Sequence, residues 1–415
     1  MTKSKKSTFY AILSHIYEHY ESSLFGFAAP FLLALFFSQD ARTSRIGIYL
    51  SIAASFWMRP LGALIFSFIG DLYGRKKALT LSVLLCVIPS FLVSFLPTYD
   101  VIGIWAPFCL IVVRMAQGIG IGGGFYATLT LVSESETTEE KKNIIFGLSL
   151  SMGFLGAILG ILSASFFLSS ELSKESWRFP FLIGAIYGLL LFFMKRMVKE
   201  SKSWENAPKL QKQVIPFLDA FLYSRRNVYA VFLLGMWLQV PFYIGTSWLP
   251  AHMVDLFHHH SSDTLAATSV IFSLCGTCTI FSCWLNTRVH IKSFMMASGF
   301  LGILASAFLF LALDRKDPCL LWYSQLIIAI YTAIIAGPSF ILIQKLFPVQ
   351  YKFSGFAIPF SSGQAIILGS TPLICEFILH TTHKSSNIAY LVLISVAFSI
   401  FAGLIAKPHI GDTLK

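Results

Sequence analysis

The chain has 415 residues, of which 56% are apolar, 15% aromatic and only 12% charged, with 40 Phe. Such material makes a poor soluble surface, so a length that could hold two or three soluble domains reads instead as a membrane protein. The formal charge of +11 raises nucleic acid as a partner. However, Lys and Arg concentrate on the loops of one side of the apolar spans, which argues against that partner and sets both termini on the cytoplasmic face.

A bilayer core of about 30 Å takes about 20 apolar residues per helix. Twelve stretches can supply them: Ala11 to Phe37, Ile46 to Ile69, Leu79 to Leu96, Ile104 to Val132, Ile144 to Leu168, Phe179 to Met194, Val228 to Pro250, Leu265 to Leu285, Phe294 to Leu313, Leu320 to Leu342, Gly355 to Leu379 and Ile388 to Ala406. The opening "MTKSKKSTF" leads into a polar-interrupted helix without a short apolar core or small-residue cleavage site, so no removable signal is expected.

Span 1 contains "LSHIYEHYESSLFGF", which places His15, Glu18, His19 and Glu21 inside a lipid-embedded run. His15, Glu18 and Glu21 follow at intervals of three and project from nearly one face. At about 1.5 Å per residue Glu21 lies roughly 15 Å deep. Arg114, entering from the other side in span 4, reaches a similar depth, so the two are candidates to pair across a cavity. Charges in a membrane are expensive enough to imply a partner or a task. A carboxylate near Arg can take or release a proton as a cavity wets and dries, while a fixed ion pair holding the first half together is the plainer alternative. Span 2 adds Arg59 in "FWMRPLG", where Pro60 removes a backbone donor.

Span 4 reads "RMAQGIGIGGGF" from Arg114 and contains a literal G-x-G-x-x-G at Gly118, Gly120 and Gly123. No strand precedes it, so the dinucleotide-binding reading fails on context. Gly118 with Gly122, and Gly120 with Gly124, instead form two ridges without side chains where another backbone can come close. That packing is either static or slides during alternating access. The long polar stretch from Lys195 to Arg226 then divides the chain into a six-helix bundle (1–197), a cytoplasmic linker (198–226) and a second six-helix bundle (227–415). This layout suggests a duplicated secondary transporter with its site between the halves.

In the second half, "FHHHSSD" puts His258, His259 and His260 on the loop after span 7, most simply as a solvated loop. Tyr17, Tyr20, Trp57, Trp237, Tyr243, Trp248 and Tyr331 could contribute to a cage for a quaternary ammonium. The seven Cys lie almost wholly in apolar spans, and Cys275 with Cys278 lacks a second pair or a His to make a metal site. No nucleophile with a base, metal set or phosphate loop supports an enzyme.

The loop "GDLYGRKKAL" resembles the signature loop of the major facilitator superfamily, with Gly70, Asp71, Gly74, Arg75 and Lys76 at the matching places. Leu72 stands where that family commonly has Arg and Ser67 where it often has Gly, which implies a weaker interdomain latch. "YEHYESSLFGF", "RPLGALIFSFIGDLYGRKKAL", "RMAQGIGIGGGFY", "SWRFPFLIGAIYGLLL" and "LFPVQYKFSGFAIPFSSGQAIILGSTPLI" are similar, in order and spacing, to the metabolite:proton symporter branch, which includes proline/betaine transporters. The resemblance implies twelve transmembrane helices in two six-helix bundles. It places Glu18 and Glu21 on the branch's acidic pair, and Arg114 and Gln117 on its helix 4 signature. Gly124 replaces the branch's usual Glu, "FSSG" at 360–363 replaces its Tyr-Asn pair, and the second loop copy "CWLNTRVHIK" has no acid.

The expectation is therefore a monomeric, multi-pass carrier of a bacterial inner membrane, with no cofactor other than a coupling proton. It would take up a small zwitterion or carboxylate by alternating access, with Arg114 or Arg59 holding the carboxylate, Glu18 and Glu21 handling the proton, and Gln117 and Tyr243 on the pathway. Efflux, uncoupled transport and a transport-dead membrane sensor are the alternatives.

Overall fold

A computed structural model describes residues 3–37, 41–135, 138–168, 173, 175–194, 199–208, 215–257 and 261–409. Its first half contains α1 (Lys3–Phe36), α2 (Ala41–Tyr73), α3 (Arg75–Phe95), α4 (Trp105–Ser135), α5 (Glu139–Phe167) and α6 (Arg178–Met194). The second contains α7 (Arg225–Trp237), α8 (Ser261–Leu285), α9 (Ile291–Arg315), α10 (Pro318–Gln344), α11 (Lys352–Ile366) and α12 (Ile388–Ile405). Among the described residues, ten helical stretches are long and apolar enough to cross a membrane. Two further helices complete the twelve expected: α6, apolar but only 17 residues long, and α1, whose internal His and Glu dilute its hydropathy.

The boundaries depart from the sequence expectation where polar residues continue a helix or interrupt one. α2 begins at Ala41 rather than Ile46, because "ARTSR" is helical without being apolar. The seventh crossing is not one rod. After α7 it continues as Val240–Tyr243, a π-helical turn at Ile244–Trp248, and Leu249–Phe257. The eleventh continues past α11 through a 3₁₀ turn at Leu368–Ser370 into Thr371–Thr382. The polar stretch between the halves holds two short helices, Lys202–Asn206 and Pro216–Tyr223.

Packing repeats with a period of six helices. α1 lies on α5 as α7 lies on α11; α2 on α4 as α8 on α10; α3 on α4 and α6 as α9 on α10 and α12. The halves meet through α2 against α11 and α5 against α8. Small residues set the spacing at these contacts. A Cβ on Gly118 or Gly122 of α4 would collide with the Ser55 or Arg59 carbonyl of α2. Gly62 of α2 meets the Ile119 carbonyl in return, and Gly156 of α5 meets the Ile16 carbonyl of α1. In the second half Gly235 of α7 meets the Phe360 carbonyl of α11. Such backbone contact is how helices associate where lipid offers no hydrophobic driving force between them. Large apolar side chains such as Phe95, Trp105, Phe193, Phe300 and Phe377 are exposed on the outside, as a lipid-facing surface requires.

Candidate functional site

A cavity of about 400 Å³ lies between the halves, within the range of small-molecule sites. Its first-half wall is the face of α1 carrying His15, Glu18, His19, Ser22 and Gly26, residues three or four apart. α2 adds Arg59, and α4 adds Phe125 and Tyr126. Opposite them, the breaks in the seventh crossing bring Gln239, Phe242, Tyr243 and Thr246 into the cavity. Gln239 lies at the break before Val240–Tyr243, and Thr246 in the π-helical turn "IGTSW" that follows.

Arg59 packs its guanidinium over the Phe56 ring at 3.8 Å and donates from Nη2 to Ser22 Oγ at 3.4 Å. Its Nε has no hydrogen-bond partner. Glu18 is 2% exposed, and neither of its carboxylate oxygens has a hydrogen-bond partner. A side chain on Gly124 would occupy the position of Glu18 Oε1. The absence of a side chain at 124 is thus what gives Glu18 its place. His15 and His19 stack at 4.5 Å, and His15 is fully buried with both ring nitrogens unpartnered. At the floor the Tyr126 hydroxyl donates to Gln364 Oε1 at 2.9 Å, and Gln364 Nε2 donates to Gln239 Oε1 at 2.6 Å. That chain ties α4, α11 and the seventh crossing together.

Glu21, Arg114 and Gln117 do not line this cavity. Three residues along a helix turn about 300°, so Glu21 is offset about 60° from Glu18, enough to aim it between α3, α4 and α6. There Glu21 Oε2 accepts from Gln117 Nε2 at 2.5 Å and from Ser90 Oγ, while Oε1 lies against Gly184 without a hydrogen bond. Arg114 donates from Nη1 to Gln117 Oε1 and rests on the Phe25 ring at 3.9 Å. The expected direct pair between Glu21 and Arg114 is therefore replaced by a relay through Gln117. Equal depth in the membrane says nothing about lateral position, and a glutamine fills the gap.

The signature loop closes one end of the bundle. Gly74, at φ 112°, turns the chain between α2 and α3 in a region that favours glycine. Arg75 is fully buried and donates to the Gly70 carbonyl at 2.7 Å, Asp71 Oδ1 at 2.8 Å, Glu134 Oε1 at 3.1 Å and, across the halves, the Val349 carbonyl at 2.6 Å. Asp71 Oδ2 accepts from Ser354 N at 2.9 Å and Oδ1 from Phe353 N at 3.3 Å, capping the start of α11. Glu200 Oε1 accepts from Arg75 N at 2.9 Å, and Glu200 also accepts from Lys76 N, while Trp204 Nε1 donates to the Asp71 carbonyl at 2.8 Å. Burial raises the Glu200 carboxyl above its ordinary value, and the Ser201, Lys76 and Arg75 amides and the Arg75 charge offset this only in part. Ser133 donates to Gln344 at 3.1 Å, and Lys345 pairs with Glu139 at 2.5 Å. The bonds of this loop use Asp71, Arg75, Glu134, Glu200, Trp204 and backbone groups rather than Leu72 or Ser67.

Several other expectations are now located. The Gly118/Gly122 ridge faces α2, while the Gly120/Gly124 ridge faces Cys86 and Glu18. Of the aromatics considered for a cage, Tyr243 alone reaches the cavity. Trp57 is 47% exposed on the outside and Tyr17 packs against Tyr187. Cys275 donates to the Ala329 carbonyl, and no group of three metal-ligating side chains occurs among the described residues. His258, His259 and His260 lie outside the described residues. Sequence reasoning missed Tyr126, Gln239 and Gln364. A polar residue in an apolar span was the available signal for the two glutamines.

Comparison with known proteins gives the same fold. The model of the Major Facilitator Superfamily matches residues 20–370. The chain is 25% identical to the putative proline/betaine transporter of Staphylococcus haemolyticus, over 99% of this chain and 90% of the relative. It is 22% identical to the proline/betaine transporter of Escherichia coli (strain K12), over 100% and 85% respectively. Among solved structures it is similar to the proton:xylose symporter XylE bound to 6-bromo-6-deoxy-D-glucose, with TM-score 0.80 and 14% identity over 97% of this chain and 95% of that one. The human organic anion transporter MFSD10 matches with TM-score 0.69 and 15% identity, over 98% of this chain and 100% of that one.

Proposed function

From the premise that this chain belongs to the Major Facilitator Superfamily, and is thus a multi-pass membrane transporter and not an enzyme, we propose that it takes up a small zwitterion or carboxylate together with a proton. The observation that carries the reading is one cavity between the halves bearing a guanidinium, Arg59, whose Nε has no hydrogen-bond partner, and a carboxylate, Glu18, neither of whose oxygens has one. Arg59 is the one Arg or Lys among the described residues lining that cavity. Its planar fork suits a carboxylate. Arg59 therefore takes the anchoring role that sequence had divided between Arg114 and Arg59.

Glu21 takes the proton. It is 1% exposed, and α1 joins it to the substrate: the next residue, Ser22, holds Arg59. When a carboxylate draws Arg59 away from Ser22, α1 is released on its cavity side. A proton on Glu21 weakens the bonds to Gln117 and Ser90 on the other side. Both events free the same helix to move, which couples them. Efflux of a hydrophobic compound has no use for two charges on the cavity wall.

The carrier resides in a bacterial inner membrane with its latch end cytoplasmic. Arg75, Lys76, Lys142, Arg225, Arg226, Lys345 and Lys407 all lie on loops or helix ends of that side, the arrangement the positive-inside rule favours, and the curated relatives are bacterial. The reading is tested by uptake of labelled amino acids, osmolytes and organic acids into proteoliposomes with and without an inward proton gradient. A carboxylate-bearing solute should accumulate above equilibrium only with the gradient. Accumulation indifferent to the gradient, or uptake confined to uncharged solutes, would overturn it.

A further inference from the structure

Glu18 is the strongest unexplained feature of the cavity. It is 2% exposed, lines the cavity and has two oxygens without hydrogen bonds. A buried acceptor left unmatched is costly, and a donor that reaches it removes the cost. The neighbouring groups do not supply one. Arg59 stacks on Phe56 and donates to Ser22, and its Nε, itself without a partner, makes no hydrogen bond to Glu18; the Ser82 hydroxyl beside Gly124 donates to the Leu79 carbonyl at 2.9 Å, and His19 Nδ1 faces the His15 carbonyl at 3.0 Å. The carboxylate is also held in position, since Gly124 provides the space it occupies.

The aromatic residues of the cavity pack on one another. Phe242 and Phe272 stack face to face at 5.5 Å, and Phe125 meets Tyr126 edge-on at 5.1 Å. A methylated cation would leave both Glu18 oxygens unmatched, whereas an ammonium with N–H would satisfy at least one.

Resting on the carrier reading above, we propose that Glu18 is a specificity-determining residue: it accepts a hydrogen bond from the substrate's cationic nitrogen, so the preferred substrate is a zwitterion whose ammonium carries at least one N–H. Arg59 and Glu18 then bind the two poles of one molecule. Sites built to hydrogen-bond an N–H reject analogues that lack it far more strongly than sites that only sense shape.

The test is equilibrium binding to the purified full chain in detergent or nanodiscs, using pairs that differ only in N-methylation: proline and N,N-dimethylproline, glycine and trimethylglycine, 4-aminobutyrate and its trimethylammonio analogue. Succinate serves as a carboxylate without nitrogen. The parent should bind the N–H member of at least one pair about tenfold or more tighter than the quaternary member. That ratio should collapse toward one in Glu18→Ala, and shrink in the isosteric Glu18→Gln, which keeps the volume but loses the charge. Equal or tighter binding of the quaternary members, binding of succinate alone, or a ratio that survives Glu18→Ala would overturn the proposal while leaving a carboxylate carrier intact. Binding of none of these compounds would overturn both the proposal and the carrier reading beneath it.

Discussion

Glu21 occupies a corner where two donors, from Ser90 and Gln117, converge on one oxygen while the other oxygen faces glycine. A Gln at this position can turn its carbonyl oxygen toward the same donors, so Glu21→Gln should cost only about 1 kcal/mol of stability. What it cannot do is alternate between charged and neutral. Glu21→Gln should therefore keep exchange of substrate across a vesicle membrane but lose uphill accumulation driven by a proton gradient. Counterflow and gradient-driven uptake measured on the same vesicles check this. Gradient-driven accumulation by Glu21→Gln would shift the proton to Glu18.

Among the elements, the α2–α4 pair is where a single side chain should matter most. Gly118 and Gly122 let α4 touch the α2 backbone at Ser55 and Arg59, the same stretch that positions the cavity guanidinium. Added volume in a packed core costs about 1–3 kcal/mol, and here it would also push Arg59 off its place. Gly118→Leu and Gly122→Leu should still insert, since the apolar run is intact, but should abolish transport. Normal membrane yield with uptake below a tenth of the parent is the expected result. Normal uptake by both variants would show that the two helices need no close contact.

The helices were legible in the sequence because a run of apolar residues reports immersion in lipid directly. So were the glycine ridges and the loop with Asp71 and Arg75, which are local patterns. Lateral placement was not legible. Depth counting set Glu21 beside Arg114 but could not see Gln117 between them, and it grouped Glu18 with Glu21 although the helix turns them to different neighbours. The Tyr126–Gln364–Gln239 chain joins residues far apart in sequence, so no window contains it. Gly124 read as a missing carboxylate, yet the three-dimensional fact is that Glu18 fills the space its side chain would take.

At the scale of the whole molecule, the halves are locked at one end by Asp71, Arg75 and the start of α11. The corresponding second-half loop has no acid, and its Arg288 rests on Trp284 at 5.2 Å. The latch is thus asymmetric between the halves, and removing Asp71 should act at this end. Breaking a buried, hydrogen-bonded pair costs about 3–5 kcal/mol, charged here against the latched state. Asp71→Ala should therefore favour opening at that end. Ser133, 2% exposed and bonded across the halves to Gln344, gives a reporter. A Ser133→Cys variant should react severalfold faster with a membrane-impermeant thiol reagent when combined with Asp71→Ala. An unchanged rate would mean the latch does not hold this conformation.

In the function proposed above, transport, coupling and selectivity all rest on the cavity between the halves, with Arg59 as its anionic-group anchor. Direct binding of a carboxylate-bearing substrate and of its amide, to the parent, Arg59→Lys and Arg114→Lys, tests it. The parent should bind the carboxylate far more tightly than the amide. Arg59→Lys, which keeps the charge but loses the planar fork, should weaken carboxylate binding by about tenfold or more, corresponding to about 1.4 kcal/mol, while Arg114→Lys stays within about threefold of the parent. The opposite order, with Arg114→Lys losing the carboxylate and Arg59→Lys keeping it, would contradict the assignment of the cavity as the substrate site.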